Sequence, residues 1–137
     1  MLACLGHATA EIALKDALEY GRQRQIFGKS VTDFQINRHK LAEMATQVQV
    51  AKTYNYSLAQ RVRAGERPVA DVAMAKNFSG RVAIDVCYEA VQILGGMGYM
   101  RESRVERLSR DARLLPIGGG THEVMNEVIA RWALNLP

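Results

Sequence analysis

Apolar residues recur at intervals of three and four along nearly the whole chain, and that period predicts helices. Ala10, Ala13, Leu14, Ala17 and Gly21 share one face of a first helix, expected from about Leu2 to Gln25. The small residues there invite close approach by a neighbour, and Gly28 is the expected C-terminal cap residue. A second helix is predicted to start at Thr32 or Asp33, both good N-caps, with Leu41, Met44, Val48, Ala51, Leu58 and Val62 as its apolar stripe. Gly65 ends it and Pro68 forbids its continuation. A third is expected over Val69 to Leu94, with Val72, Ala75, Phe78, Val82, Val86 and Ile93 inward and Gly95-Gly96-Met97-Gly98 as its stop. Shorter helices are expected at Ser103 to Leu114 and at Thr121 to Leu134, the last turning Val124, Val128, Ile129 and Trp132 inward. Strand-like alternation never lasts beyond a few residues. The expected fold is all-α: an up-and-down bundle of three long antiparallel helices plus two shorter C-terminal ones, one domain over residues 1–137.

Composition narrows this picture without changing it. The 137 residues are 48% hydrophobic with only three prolines, which fits one folded domain rather than a disordered tail. The net charge of +4 is mild and spread along the chain, with a loose group at Arg22, Arg24, Lys29 and Arg38 to Lys40. No basic run is interleaved with aromatics, so nucleic acid is not an expected partner, whereas a phosphate-bearing small ligand is. Cys4 and Cys87 suggest no disulfide framework and are expected to pack as small hydrophobes, in keeping with a reducing cytoplasm. No apolar run is long enough to span a bilayer, no signal peptide is expected, and no metal site is expected.

Three places break the periodic pattern. The first is Arg22 to Lys29, where an arginine fork suits phosphate and Phe27 could stack on a flat ring; cations at a negative helix end are the plainer reading. The second is Gln92-Ile93-Leu94-Gly95-Gly96-Met97-Gly98-Tyr99, a side-chain amide beside open backbone, or simply a cap and turn. The third is Gly118-Gly119-Gly120-Thr121, a glycine triplet leading into a Thr N-cap: either a bare helix N-terminus whose N–H groups can face a ligand, or a flexible turn.

Taken in order, Arg24-Gln25-Ile26-Phe27-Gly28-Lys29 with Phe34-Gln35, then Gln92 to Tyr99, then Arg110-Asp111-Ala112-Arg113, then Ile117 to Thr121, resemble the C-terminal helical domain of the acyl-CoA dehydrogenases. These are flavin enzymes of fatty acid or amino acid catabolism that desaturate acyl-CoA thioesters. The resemblance implies FAD as cofactor, acyl-CoA as substrate, electron-transferring flavoprotein as redox partner, and a homodimer or homotetramer. It implies that Arg24 contacts the FAD pyrophosphate across a subunit interface, that Phe27 and Gln35 lie near the adenosine of the same flavin, and that Gln92 with the backbone of Gly95 and Gly96 adds a further contact from the partner. It implies that Thr121 and Glu123 touch the flavin of their own subunit and that Gly120 lies close to the thioester.

One departure from the family pattern bears on catalysis. Most members carry Tyr-Glu-Gly-Thr where this chain reads Gly118-Gly119-Gly120-Thr121, and that glutamate is the base that removes the α-proton. Gly119 stands in its place. The isovaleryl and long-chain branches, which this chain resembles most in motif, keep the base on the helix that begins this chain, about one turn earlier, which puts it upstream of Met1. No residue present is expected to replace it; Glu123, the nearest acid, sits in a helix first turn where solvent and dipole favour its charge. The N-terminal helical and middle β domains of the family are also absent, so the isolated chain is expected to be inactive. The alternative is a non-catalytic helical oligomerisation or companion-subunit module.

Overall fold

The computed structural model describes all of residues 1–137. The long helices are α1 (Leu2–Gln23), α2 (Gln35–Arg63) and α3 (Val69–Leu94), followed by α4 (Gly96–Tyr99), α5 (Arg104–Ala112) and α6 (His122–Ala133). The all-α bundle is as expected. Side-chain pairs fix its up-down-up course: Lys52 bonds Glu11 at 2.8 Å while Asn55, further along α2, reaches back to Ala3 O at 3.1 Å, so α2 runs back along α1; Lys40 bonds Glu89 at 2.6 Å while Asn55 lies 2.9 Å from the earlier Ser79 Oγ, so α3 runs back along α2.

The closest packing is α1 on α3, and the small residues cause it. Ala10, Ala13 and Ala17 are buried against Ala83, Cys87 and Ala90. At Gly6 a methyl group would sit 2.6 Å from the Ser79 carbonyl oxygen. Met44, Val48, Val82, Val86, Val105 and Leu115 complete one contiguous core. A polar knot lies inside it, where the Asn55 amide is 2.8 Å from His7 Nδ1 and 2.9 Å from Ser79 Oγ. These partners satisfy groups that would be costly to bury alone.

The structure corrects several boundaries. The first helix ends at Gln23, not Gln25, with Arg24 as its extended C-cap. Gln25–Ile26 (β1) and Lys29–Ser30 (β2) then pair as a minimal antiparallel hairpin. Its tip residues Phe27 and Gly28 both have positive φ (50° and 76°), the geometry a two-residue hairpin turn requires. Gly28 is therefore a hairpin residue, not a helix cap. Thr32 and Asp33 do not cap the second helix; they lie in a 3-10 turn, Val31–Asp33, in which Asp33 accepts from the Ser30 N–H at 2.9 Å. Gly95, with φ 59°, stops α3 as expected, but the residues after it form the extra turn α4.

Burial differs from the periodic reading in places. Val62 and Val72 are exposed at the stripe ends, Phe78 is exposed between the buried Ala75 and Val82, and Cys4 is exposed whereas Cys87 is buried. The largest difference is α6, which has no buried residue; Trp132 is 64% exposed and Val124 is exposed too. α6 packs chiefly on α3, and its outer apolar side is left exposed. No helix is long and apolar enough to cross a membrane.

Candidate functional site

The up-down-up course sorts the residues expected to bind ligand into two sets at opposite ends of the bundle. One end collects the C-terminus of α1, the hairpin, the N-terminus of α2 and the C-terminus of α3. Arg24 projects there without an ion-pair partner, and Phe27 is 95% exposed at the hairpin tip. Gln35 opens α2, its amide 3.5 Å from the His39 ring. Gln92 is exposed in the last turn of α3. A methyl group on Gly95 or Gly96 would meet nothing within 4 Å, so neither glycine is required by packing inside the chain. A free guanidinium, a free aromatic face and open backbone are donors and surfaces that fit a pyrophosphate joined to an aromatic base.

The other end is built around the glycine triplet. Gly119 and Gly120 have φ of 64° and 96°, a region that disfavours side-chain-bearing residues. Thr121 caps α6, its hydroxyl accepting from the Val124 N–H at 3.3 Å. The triplet is tied at both ends: the Gly118 N–H donates to Leu114 O at 2.8 Å and the His122 N–H to Pro116 O at 2.9 Å. Between those ties, the N–H groups of Gly119, Gly120 and Thr121 have no acceptor in the chain. Three adjacent unpaired donors ahead of a helix N-terminus form an acceptor-binding concavity. A Cβ at Gly119 would fall 2.3 Å from Leu2 Cδ1 in the first turn of α1. Position 119 and the start of α1 thus face the same small space.

Two residues that sequence reasoning missed complete this end. Lys76 and Asn77 on α3 are buried, with relative exposures of 7% and 8%. Lys76 Nζ donates to the Gly120 carbonyl. Asn77 Nδ2 donates to His122 O at 3.1 Å and to Asn126 Oδ1 at 2.9 Å, and its own Oδ1 is buried without a partner. The available signal was a polar pair inside the apolar run Val72 to Val82. Burial pushes the Lys76 ammonium below its ordinary range, with only the charge of Glu123 acting against that. Glu123 moves down as well, held by its own backbone N–H and then by the Thr121 hydroxyl. A depressed carboxylate is poorly matched to proton abstraction near neutrality.

The two ends do not meet. Lys76 and Gln92 are sixteen residues apart on α3, which is about 24 Å along the helix axis. The residues expected to touch the cofactor are therefore not brought together by one chain.

The bundle is a fold shared with known oxidoreductases. The chain belongs to the acyl-CoA dehydrogenase family: residues 1–134 match the acyl-CoA dehydrogenase C-terminal domain. It is 44% identical over 115 residues to a short-chain specific acyl-CoA dehydrogenase of Megasphaera elsdenii, covering 84% of this chain and 30% of that protein. It is 39% identical over 121 residues to a 3-(aryl)acrylate reductase of Clostridium sporogenes, covering 88% and 32%. Among solved structures, a probable acyl-CoA dehydrogenase of Mycobacterium abscessus superposes with a TM-score of 0.93 at 56% identity, over 95% of this chain and 35% of that one. The chain spans about a third of the length of the curated relatives it matches.

Proposed function

We propose that the chain is the C-terminal domain of an FAD-dependent acyl-CoA dehydrogenase that oxidises the α,β bond of an acyl-CoA thioester, and that residues 1–137 form one domain of it. The observation that carries this reading is the row of three unpaired N–H groups at Gly119, Gly120 and Thr121. Donors of that kind suit a thioester carbonyl oxygen that gains negative charge when the α-proton leaves. Flavin, when bound, supplies the hydride acceptor. Thr121 and Glu123 contact the flavin of their own subunit, and Gly120 lies against the thioester.

Arg24, Phe27, Gln35, Gln92, Gly95 and Gly96 serve a second subunit's cofactor, Arg24 at its pyrophosphate and Phe27 and Gln35 near its adenosine. The separation of the two ends of the bundle supports this division. It makes a homodimer, or a tetramer of such dimers, the functional unit. Electron-transferring flavoprotein is the proposed acceptor of the reducing equivalents.

No residue of this chain is proposed as the base. Gly119 has no side chain to take a proton. The carboxylate belongs one turn ahead of Leu2, on the extension of α1 that faces the space beside Gly119. The isolated domain is then inert. Mixing the purified 137-residue chain with FAD, an acyl-CoA and an oxidising dye should give no enoyl product, whereas the complete flavoprotein should give it. Turnover by the isolated chain would overturn the assignment of the base. A second reading, a helical assembly module without chemistry, draws on the uncovered apolar side of α6. Size-exclusion chromatography with FAD separates the two: a yellow peak supports the flavoprotein domain, a colourless dimer the module.

A further inference from the structure

Lysine is seldom this deeply buried outside an ion pair. Lys76 forms no ion pair, and its Nζ is spent on a neutral carbonyl, that of Gly120. An apolar side chain of similar length would fill the same volume without desolvating a charge. Packing therefore does not account for the residue.

The backbone it touches does. Gly119 and Gly120 both lie at positive φ, where glycine moves freely among several conformations. The neighbouring ties end at Gly118 on one side and begin at His122 on the other. Thr121 is engaged only with the first turn of its own helix. The contact from Lys76 is thus the one hydrogen bond that reaches Gly119 or Gly120 from another element.

We infer that Lys76 is a positioning residue: by holding the Gly120 carbonyl against α3 it fixes the turn in which the N–H groups of Gly119, Gly120 and Thr121 remain free as one donor set for the thioester oxygen. This rests on the function proposed above only for the identity of the bound atom; the fixing of the turn stands apart from it. Asn77, adjacent on the same helix, does the corresponding work for the first residue of α6 through His122 O.

The test has three arms. In the 137-residue chain, isotope-edited NMR follows Lys76 Nζ and the Gly120 carbonyl carbon through a pH titration. Both should move with one midpoint, separate from that of Glu123, the charged group that faces Lys76 from α6. A Gly120 carbonyl blind to the Lys76 titration overturns the inference, and this measurement needs no variant. In Lys76→Met, exchange of the His122 amide, protected by Pro116 O in the wild type, should speed up about tenfold as the turn loosens. Unchanged exchange in a folded variant also overturns it. In the complete flavoprotein, Lys76→Met should weaken binding of a saturated acyl-CoA about tenfold while FAD affinity holds within about twofold. Equal losses for both ligands would reduce Lys76 to a folding residue. A wild-type protein that binds no thioester sinks the proposed function alone, and the NMR arm still decides the role of Lys76.

Discussion

Cys87 shows how one residue ties packing to pH. It is fully buried where α3 meets α1, and burial pushes its thiol from 9.0 up to about 12. The folded protein keeps a proton that the unfolded chain releases. The stabilisation is complete below pH 9 and is lost as pH climbs toward 12, by about 1.4 kcal/mol per unit. Cys87→Ala should flatten that alkaline loss, read by urea unfolding at pH 8 and pH 10.5. An identical loss in the variant would move the cause elsewhere, for instance to Tyr54, whose hydroxyl is also raised, first by burial and then by Asp71. Sequence context placed Cys87 in the core correctly but assigned Cys4 the same environment, although Cys4 is exposed. Both sit on helices among apolar neighbours; only the angle around the helix, set by tertiary packing, separates them.

At the scale of elements, helices were legible and their junctions less so. The long helices declared themselves because a period sustained over twenty residues outweighs local accidents. The hairpin at Gln25 to Ser30 was hidden because two ladder pairs carry no periodicity, and Gly28 after a helical run reads equally well as a cap. The inward turn expected of α6 failed for another reason: an apolar stripe says that something covers it, not that this chain does. The glycine turns were legible as places, but the groups that fix them were not. Lys76 is separated by 44 residues from the carbonyl it holds. Glycines also set how closely elements cross. A side chain at Gly98 would meet the Val91 carbonyl at 2.6 Å, and Gly6 faces Ser79 equally tightly. Gly6→Ala and Gly98→Ala should each cost about 1–3 kcal/mol in chemical denaturation. Gly96→Ala, with open space around it, should cost about 1 kcal/mol or less in this chain. A Gly96→Ala cost equal to that of Gly98→Ala would contradict the packing described.

At the scale of the whole molecule, the fold class and the family were readable because four motifs keep a specific order and spacing along a helical chain. The division of those motifs between the ends follows from topology, since an odd number of long helices returns the chain to the end opposite its start. The sixteen residues from Lys76 to Gln92, about 24 Å along α3, then keep Gln92 away from the turn that Lys76 holds.

That spacing has a genetic consequence. Two defective copies, one carrying Arg24→Ala and the other Lys76→Met, should rescue each other when co-expressed. Under the division of residues proposed above, both lesions in a mixed dimer fall on one reaction centre and spare its twin. With random pairing, roughly a quarter of the centres should be sound, enough for interallelic complementation to show as recovered turnover where each mutant alone is impaired.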